Sequence, residues 1–167
     1  MAAIALSLLA GMSGCGFQPL YGEPGDAPTP YQALHHISIG PISDRAGVRL
    51  RAELERLFSP LKEPARHRLD VKLGSQVQVM AIEEDASIRR TNLQLIAHVR
   101  LLPSAVPEGQ DTVEPEFVTT VRANAGTEQL PSDFSTLVSE RATEQRAVEL
   151  LAQRIRQELA LHFAGKA

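Results

Sequence analysis

RLDVKLGSQVQV, residues 68–79, is the stretch whose reading decides the fold. Leu69, Val71, Leu73, Val77 and Val79 fall on one face of an extended chain, and Arg68, Asp70, Lys72, Gln76 and Gln78 on the other. The same period of two returns in Leu93, Leu95, Ala97, Val99 and Leu101, with Asn92, Gln94, His98 and Arg100 at alternate positions. A third run places Phe117, Thr119, Val121, Ala123 and Ala125 opposite Arg122 and Asn124. Three strands with one apolar and one polar face predict a sheet covered on a single side. The first two are expected to form an antiparallel hairpin around Glu83 to Ala86.

Upstream, Leu34 to Ile39 alternates around Ile37 and Ile39 and stops at Gly40-Pro41, which predicts a short first strand. Asp44 is placed to cap a helix. Val48, Leu50, Leu54, Leu57, Phe58 and Leu61 then recur at helical spacing, with closure near Pro60. Downstream, Pro131-Ser132-Asp133 opens a helix running to about Ala164, striped by Phe134, Val138, Ala142, Val148, Ala152, Ile155, Leu159 and Phe163. At a rise of 1.5 Å per residue it spans about 45 Å, more than one small sheet needs, so part of it is expected to project or to cross the sheet diagonally. The order β-α-β-β-β-α, with both helices on one face of a four-stranded sheet, is an α+β two-layer sandwich over a single domain, 31–167.

A chain of 167 residues supports one core, and with 43% hydrophobic but 4% aromatic residues and no Trp that core is aliphatic. The net charge of -3 argues against a surface tuned to nucleic acid, which needs a basic field. One cysteine excludes an intramolecular disulfide.

That cysteine ends a leader. Ala2 to Met12 is a run rich in Ala, Ile, Leu and Gly, the length of a signal-peptide core and too short to cross a bilayer. Met12-Ser13-Gly14-Cys15 resembles a lipobox, with Met12 where Leu is usual, so residues 1–14 read as a lipoprotein signal peptide and Cys15 as the lipidated residue. The segment before the apolar run lacks Lys and Arg, which points to an earlier start. A buried structural Cys is disfavoured by Gly16, Pro19 and Gly22 close behind it. Residues 15–30 hold four Pro and three Gly and read as an extended tether. Gly16, and not Asp, follows the cysteine, which favours sorting to the outer membrane.

Cys15-Gly-Phe-Gln-Pro-Leu-Tyr-Gly22, the element order above, and a last helix carrying Ser139-Glu140-Arg141-Ala142 through Leu161-His162-Phe163 together resemble the LptE family of LPS-assembly lipoproteins. The resemblance covers nearly the whole chain, and its N-terminal motif is the most specific part. It implies a palmitate-type lipid anchor on the periplasmic face of the outer membrane and an α+β domain that plugs the β-barrel translocon LptD. It further implies a part in barrel assembly and in carrying lipopolysaccharide to the cell surface. The polar strand face would suit a barrel lumen, which is polar. The alternative is a solitary periplasm-facing lipoprotein that binds an amphiphile or peptidoglycan without a barrel partner.

No catalytic residue, metal site or cofactor is assigned. His35, His36, His67, His98 and His162 show no ligand spacing, and His35 and His36, adjacent on the expected strand, would point to opposite faces. No nucleophile elbow, phosphate loop or dinucleotide fingerprint occurs. Glu83-Glu84-Asp85 at the expected hairpin tip, followed by Arg89-Arg90, is most simply a solvated loop with local ion pairs. The sharper reading gives Arg89 and Arg90 to the phosphates of lipopolysaccharide, since guanidinium forks suit phosphate oxygens. Lys72, Gln94 and Arg100 are weaker candidates for the same ligand.

Overall fold

The computed structural model describes residues 30–61, 64–82, 89–105, 113–129 and 133–166. Along the chain come α1 (Pro30–Ala33), a 3-10 turn (Leu34–His36), β1 (Ile37–Ile39), α2 (Arg45–Phe58), β2 (His67–Ile82), β3 (Arg89–Pro103), β4 (Phe117–Gln129) and α3 (Asp133–Ala164). The strands form one sheet in the order β1-β2-β3-β4, with β1 parallel to β2 and the other pairs antiparallel. Helices cover one face, so the expected two-layer α+β sandwich is the fold.

The apolar sides of the three long strands meet the helices as their period of two requires. Leu69, Val71, Leu95, Ala97, Val99, Leu101, Val121, Ala123 and Ala125 are buried together with Leu50, Leu54 and Phe58 of α2. From α3 the core receives Ala147, Val148, Leu151, Ala152, Ile155 and Leu159. Each large side chain taken fully from water contributes roughly 1.5–3 kcal/mol. Arg45 and Arg49 of α2 reach Glu144 of α3 at 3.7 and 3.2 Å, and Arg156 of α3 lies 4.7 Å over the Tyr31 ring, which ties α1 and α2 to the long helix.

Four local expectations need correction. The first strand is shorter than Leu34 to Ile39, because Leu34–His36 forms the turn that drops Leu34 into the core. His35 and His36 are therefore not strand neighbours on opposite faces; the Nδ1 of His35 donates to the carbonyls of Phe58 (2.6 Å) and Ser59 (3.0 Å). These lie at the C-terminal end of α2, where carbonyls have no partner in the helix. Asp44 does stand before α2 and accepts the Val48 amide through its carbonyl at 3.0 Å, but its side chain makes no capping bond. Side-chain capping requires an extended backbone, whereas Asp44 sits at φ 69.

The helical stripes are also shifted at their ends. Val48 and Leu61 are 64% and 49% exposed, and Gly47 takes the place of a core residue at the start of α2. A Cβ there would come within 2.7 Å of Ile42 Cγ2 and 3.1 Å of its carbonyl, so only glycine allows that approach. In α3 the buried stripe begins at Thr143, while Ala142 is exposed and Leu137 and Val138 are 53% and 51% exposed. Leu137 and Val138 thus leave apolar side chains in the open near the start of the long helix, as its excess length anticipates. The side chain of Phe134 and the acidic run Glu83-Glu84-Asp85 lie outside the described residues.

Candidate functional site

The uncovered face of the sheet is the largest polar surface that the strands build. Register sets its rows. Asp70 stands opposite Arg100 and then Val118; Lys72 opposite His98 and then Thr120; Gln76 opposite Gln94 and then Asn124. Arg122 is in register with Ile96, next to the row of Lys72 and His98. Polar groups pair across the strands: His98 Nδ1 lies 3.0 Å from Thr120 Oγ1, and Gln94 Nε2 donates to Asn124 Oδ1 at 3.1 Å.

Among the described residues the charges on this face do not balance. Arg68 donates to Asp70 from Nε and Nη2, each at 3.0 Å, which occupies both oxygens of that carboxylate. Lys72, Arg100 and Arg122 are exposed, and among the described residues none of the three has a carboxylate within ion-pair reach. Three cations without a carboxylate partner among the described residues form an anion-accepting patch in a chain whose net charge is -3. Lys72 and Arg100 were named from the sequence, whereas Gln94 is occupied by Asn124. The alternation marks Arg122 only as a polar strand residue, two positions from Thr120 on the same face.

Arg89 and Arg90 open β3. Their backbones stand in register with Ile82 and Ala81 of β2 and with Gln129 and Glu128 of β4, beyond a bulge between Val79 and Ala81. They are strand residues and not part of a loop. Ten positions at about 3.3 Å each separate Arg90 from Arg100 along β3, roughly 33 Å, so the fold does not bring the two candidate sets together. Cys15 lies outside the described residues.

A second cluster closes the opposite end of the sheet. Glu116 Oε2 accepts from Lys166 Nζ at 2.9 Å and lies 3.6 Å from His67 Nε2. Phe117 stacks on His162 with centroids 4.5 Å apart, and Phe163 meets His67 edge-on at 5.5 Å. Burial pushes the His67 imidazole below its ordinary value against the pull of Glu116, with Lys166 and Arg66 adding to the depression. Burial and Lys166 act alike on His162. The Lys166 hydrogen bond holds the Glu116 carboxyl low. The folded chain therefore binds fewer protons here than the unfolded chain, and stability is lost as pH falls from about 6.5 through the lowered His values. The melting temperature is expected to fall between pH 7.5 and pH 5, and the slope to shrink when His67→Phe and His162→Phe are combined. An unchanged slope in that double variant would remove the cluster as its cause.

Among the described residues no three of His, Cys, Asp and Glu gather as a metal ion would require, and no helix is long and apolar enough to cross a membrane. The class defined by the fold is a one-sided α+β sandwich whose uncovered sheet face carries Lys72, Arg100 and Arg122. The chain belongs to the LptE family, described as lipopolysaccharide-assembly, whose model matches residues 34–159.

Among solved structures, a candidate lipoprotein from Caulobacter crescentus is similar, with a TM-score of 0.63 at 18% identity over 83% of this chain and 97% of that one. A minor lipoprotein from Acinetobacter baumannii matches with a TM-score of 0.56 at 15% identity, over 75% of this chain and 90% of that one. At these identities the likeness concerns the fold. Comparison with curated proteins gives no match.

Proposed function

We propose that the mature chain, anchored by lipid at Cys15 to the periplasmic face of the outer membrane, plugs and helps assemble the LptD β-barrel and takes part in lipopolysaccharide transport. The family match supports the assembly role. Its work is contact and not bond-breaking, and no catalytic step is assigned. Two neighbouring folds named as lipoproteins agree with an anchored body. The observation that carries the reading is the outer sheet face, where Lys72, Arg100 and Arg122 stand without carboxylate partners among the described residues, beside the paired amides of Gln94 and Asn124. Such a face suits either the polar wall of a barrel lumen or the phosphates of lipopolysaccharide.

Charge reversal separates these two uses. Arg89→Glu with Arg90→Glu, and separately Lys72→Glu with Arg100→Glu and Arg122→Glu, are each expected to weaken binding of purified lipopolysaccharide at least tenfold. A single charge-assisted hydrogen bond of about 1.5–3 kcal/mol is already enough for that loss. Binding unchanged in both variants would remove lipopolysaccharide contact from the proposal and leave the barrel wall as the use of the face.

A further inference from the structure

The two long edges of the sheet are treated differently. Along β4, α3 lies over the strand and the guanidinium of Arg154 bonds to the carbonyl of Arg122. Along β2, β1 pairs only with His67 to Leu69, and the Gly40 amide closes on the Leu69 carbonyl at 2.9 Å. Beyond that point, among the described residues, the outer side of β2 has no backbone partner. Because the Leu69 carbonyl faces outward, the outward amides and carbonyls farther along belong to Val71, Leu73, Ser75 and Val77, before the bulge at Val79 and Ala81.

Proteins protect such edges with charge, proline or a bulge, yet after Lys72 the stretch Leu73 to Gln78 contains no charge and no proline. The helix layer also stops short here, since Val77 lies on the core face of the strand and is 69% exposed. We propose that this edge pairs antiparallel with the β2 edge of a second copy of the chain, about a twofold axis at Ser75.

The strand is self-complementary in that register. Leu73 meets Val77 of the second copy, which covers the exposed apolar side chain from both directions, and Ser75 meets its own equivalent. Lys72 faces Gln78 of the second copy, and the two Lys72 side chains stand about 20 Å apart, so no like charges oppose each other. Shifting the axis by one residue either way separates Leu73 from Val77. The tether of this chain is a poor competitor for the edge, because its four prolines lack the donors that a ladder needs. This inference does not depend on the barrel partner; it describes the chain when that partner is absent.

The test uses the full-length chain carrying Cys15→Ser, purified in detergent. Sedimentation velocity is expected to show dimer growing with concentration up to about 100 µM, as a small interface requires. The Ser75 amide points away from β3, so Ser75→Pro is expected to give a folded monomer with unchanged circular dichroism. Ser75→Cys is expected to form an intermolecular disulfide under mild oxidation, whereas Gln78→Cys, far from its own equivalent in this register, is not. Should the proline variant unfold, the cysteine pair decides alone. A chain that stays monomeric throughout, a dimer that survives Ser75→Pro, or equal cross-linking at Ser75→Cys and Gln78→Cys would each overturn the proposal. So would an edge that takes up only a strand from a different protein.

Discussion

Phe58→Ala is expected to destabilise the domain by about 3–5 kcal/mol in urea unfolding, the usual cost of emptying a buried aromatic site. Phe58 is fully buried at the last turn of α2, where the helix closes over the core. Its backbone carbonyl also receives the His35 imidazole at 2.6 Å, so the site fixes the end of α2 as well as the packing beneath it. Relaxation around the cavity would loosen that capping contact, which places the expected loss toward the upper end. Val48→Ala, at a position 64% exposed on the same helix, is the control and is expected to change stability by less than about 0.5 kcal/mol. Equal losses in the two variants would contradict the packing described for α2.

The second large effect is proposed for Cys15→Ala. In the proposed anchoring each buried acyl methylene would contribute about 0.8 kcal/mol, and only two or more chains hold a protein firmly. Removing the thiol leaves no acceptor for the diacylglyceryl group. The variant is expected to accumulate as an uncleaved precursor without acyl mass and to leave the outer-membrane fraction. Mass spectrometry of the purified chain checks both points, and normal acylation of the variant would exclude Cys15 as the lipidated residue.

Much of the fold was legible because the sheet is covered on one side only. That condition favours alternation in residues 69–79, 93–101 and 117–125, broken only locally, as at Ser75 and Ile96, and alternation identifies strand, face and hairpin together. Helix ends were less legible, since periodicity shows which side chains share a stripe and not where the covering sheet stops. In α3 both Val138 and Ala142 continue the apolar pattern, yet the buried stripe starts at Thr143. The place of His35 is hidden from periodicity for a related reason: its partners, the carbonyls of Phe58 and Ser59, come near only after α2 has folded back.

The candidate site was legible as residue types and not as an arrangement. Lys72 and Arg100 stood out as polar strand residues, but that they lack carboxylates emerges from the pairing of Arg68 with Asp70, which takes the acid nearest to Arg100 in register. Glu116 with Lys166, and Phe117 with His162, join the start of β4 to the end of α3, so no local motif could announce the pH-sensitive cluster.

The most direct test of the central proposal is purification of the tagged, lipidated chain from a Gram-negative envelope in mild detergent, with quantitation of what comes with it. One LptD-type β-barrel per chain is the expected result. Elution of the chain free of any barrel would contradict it and would favour a solitary lipoprotein instead.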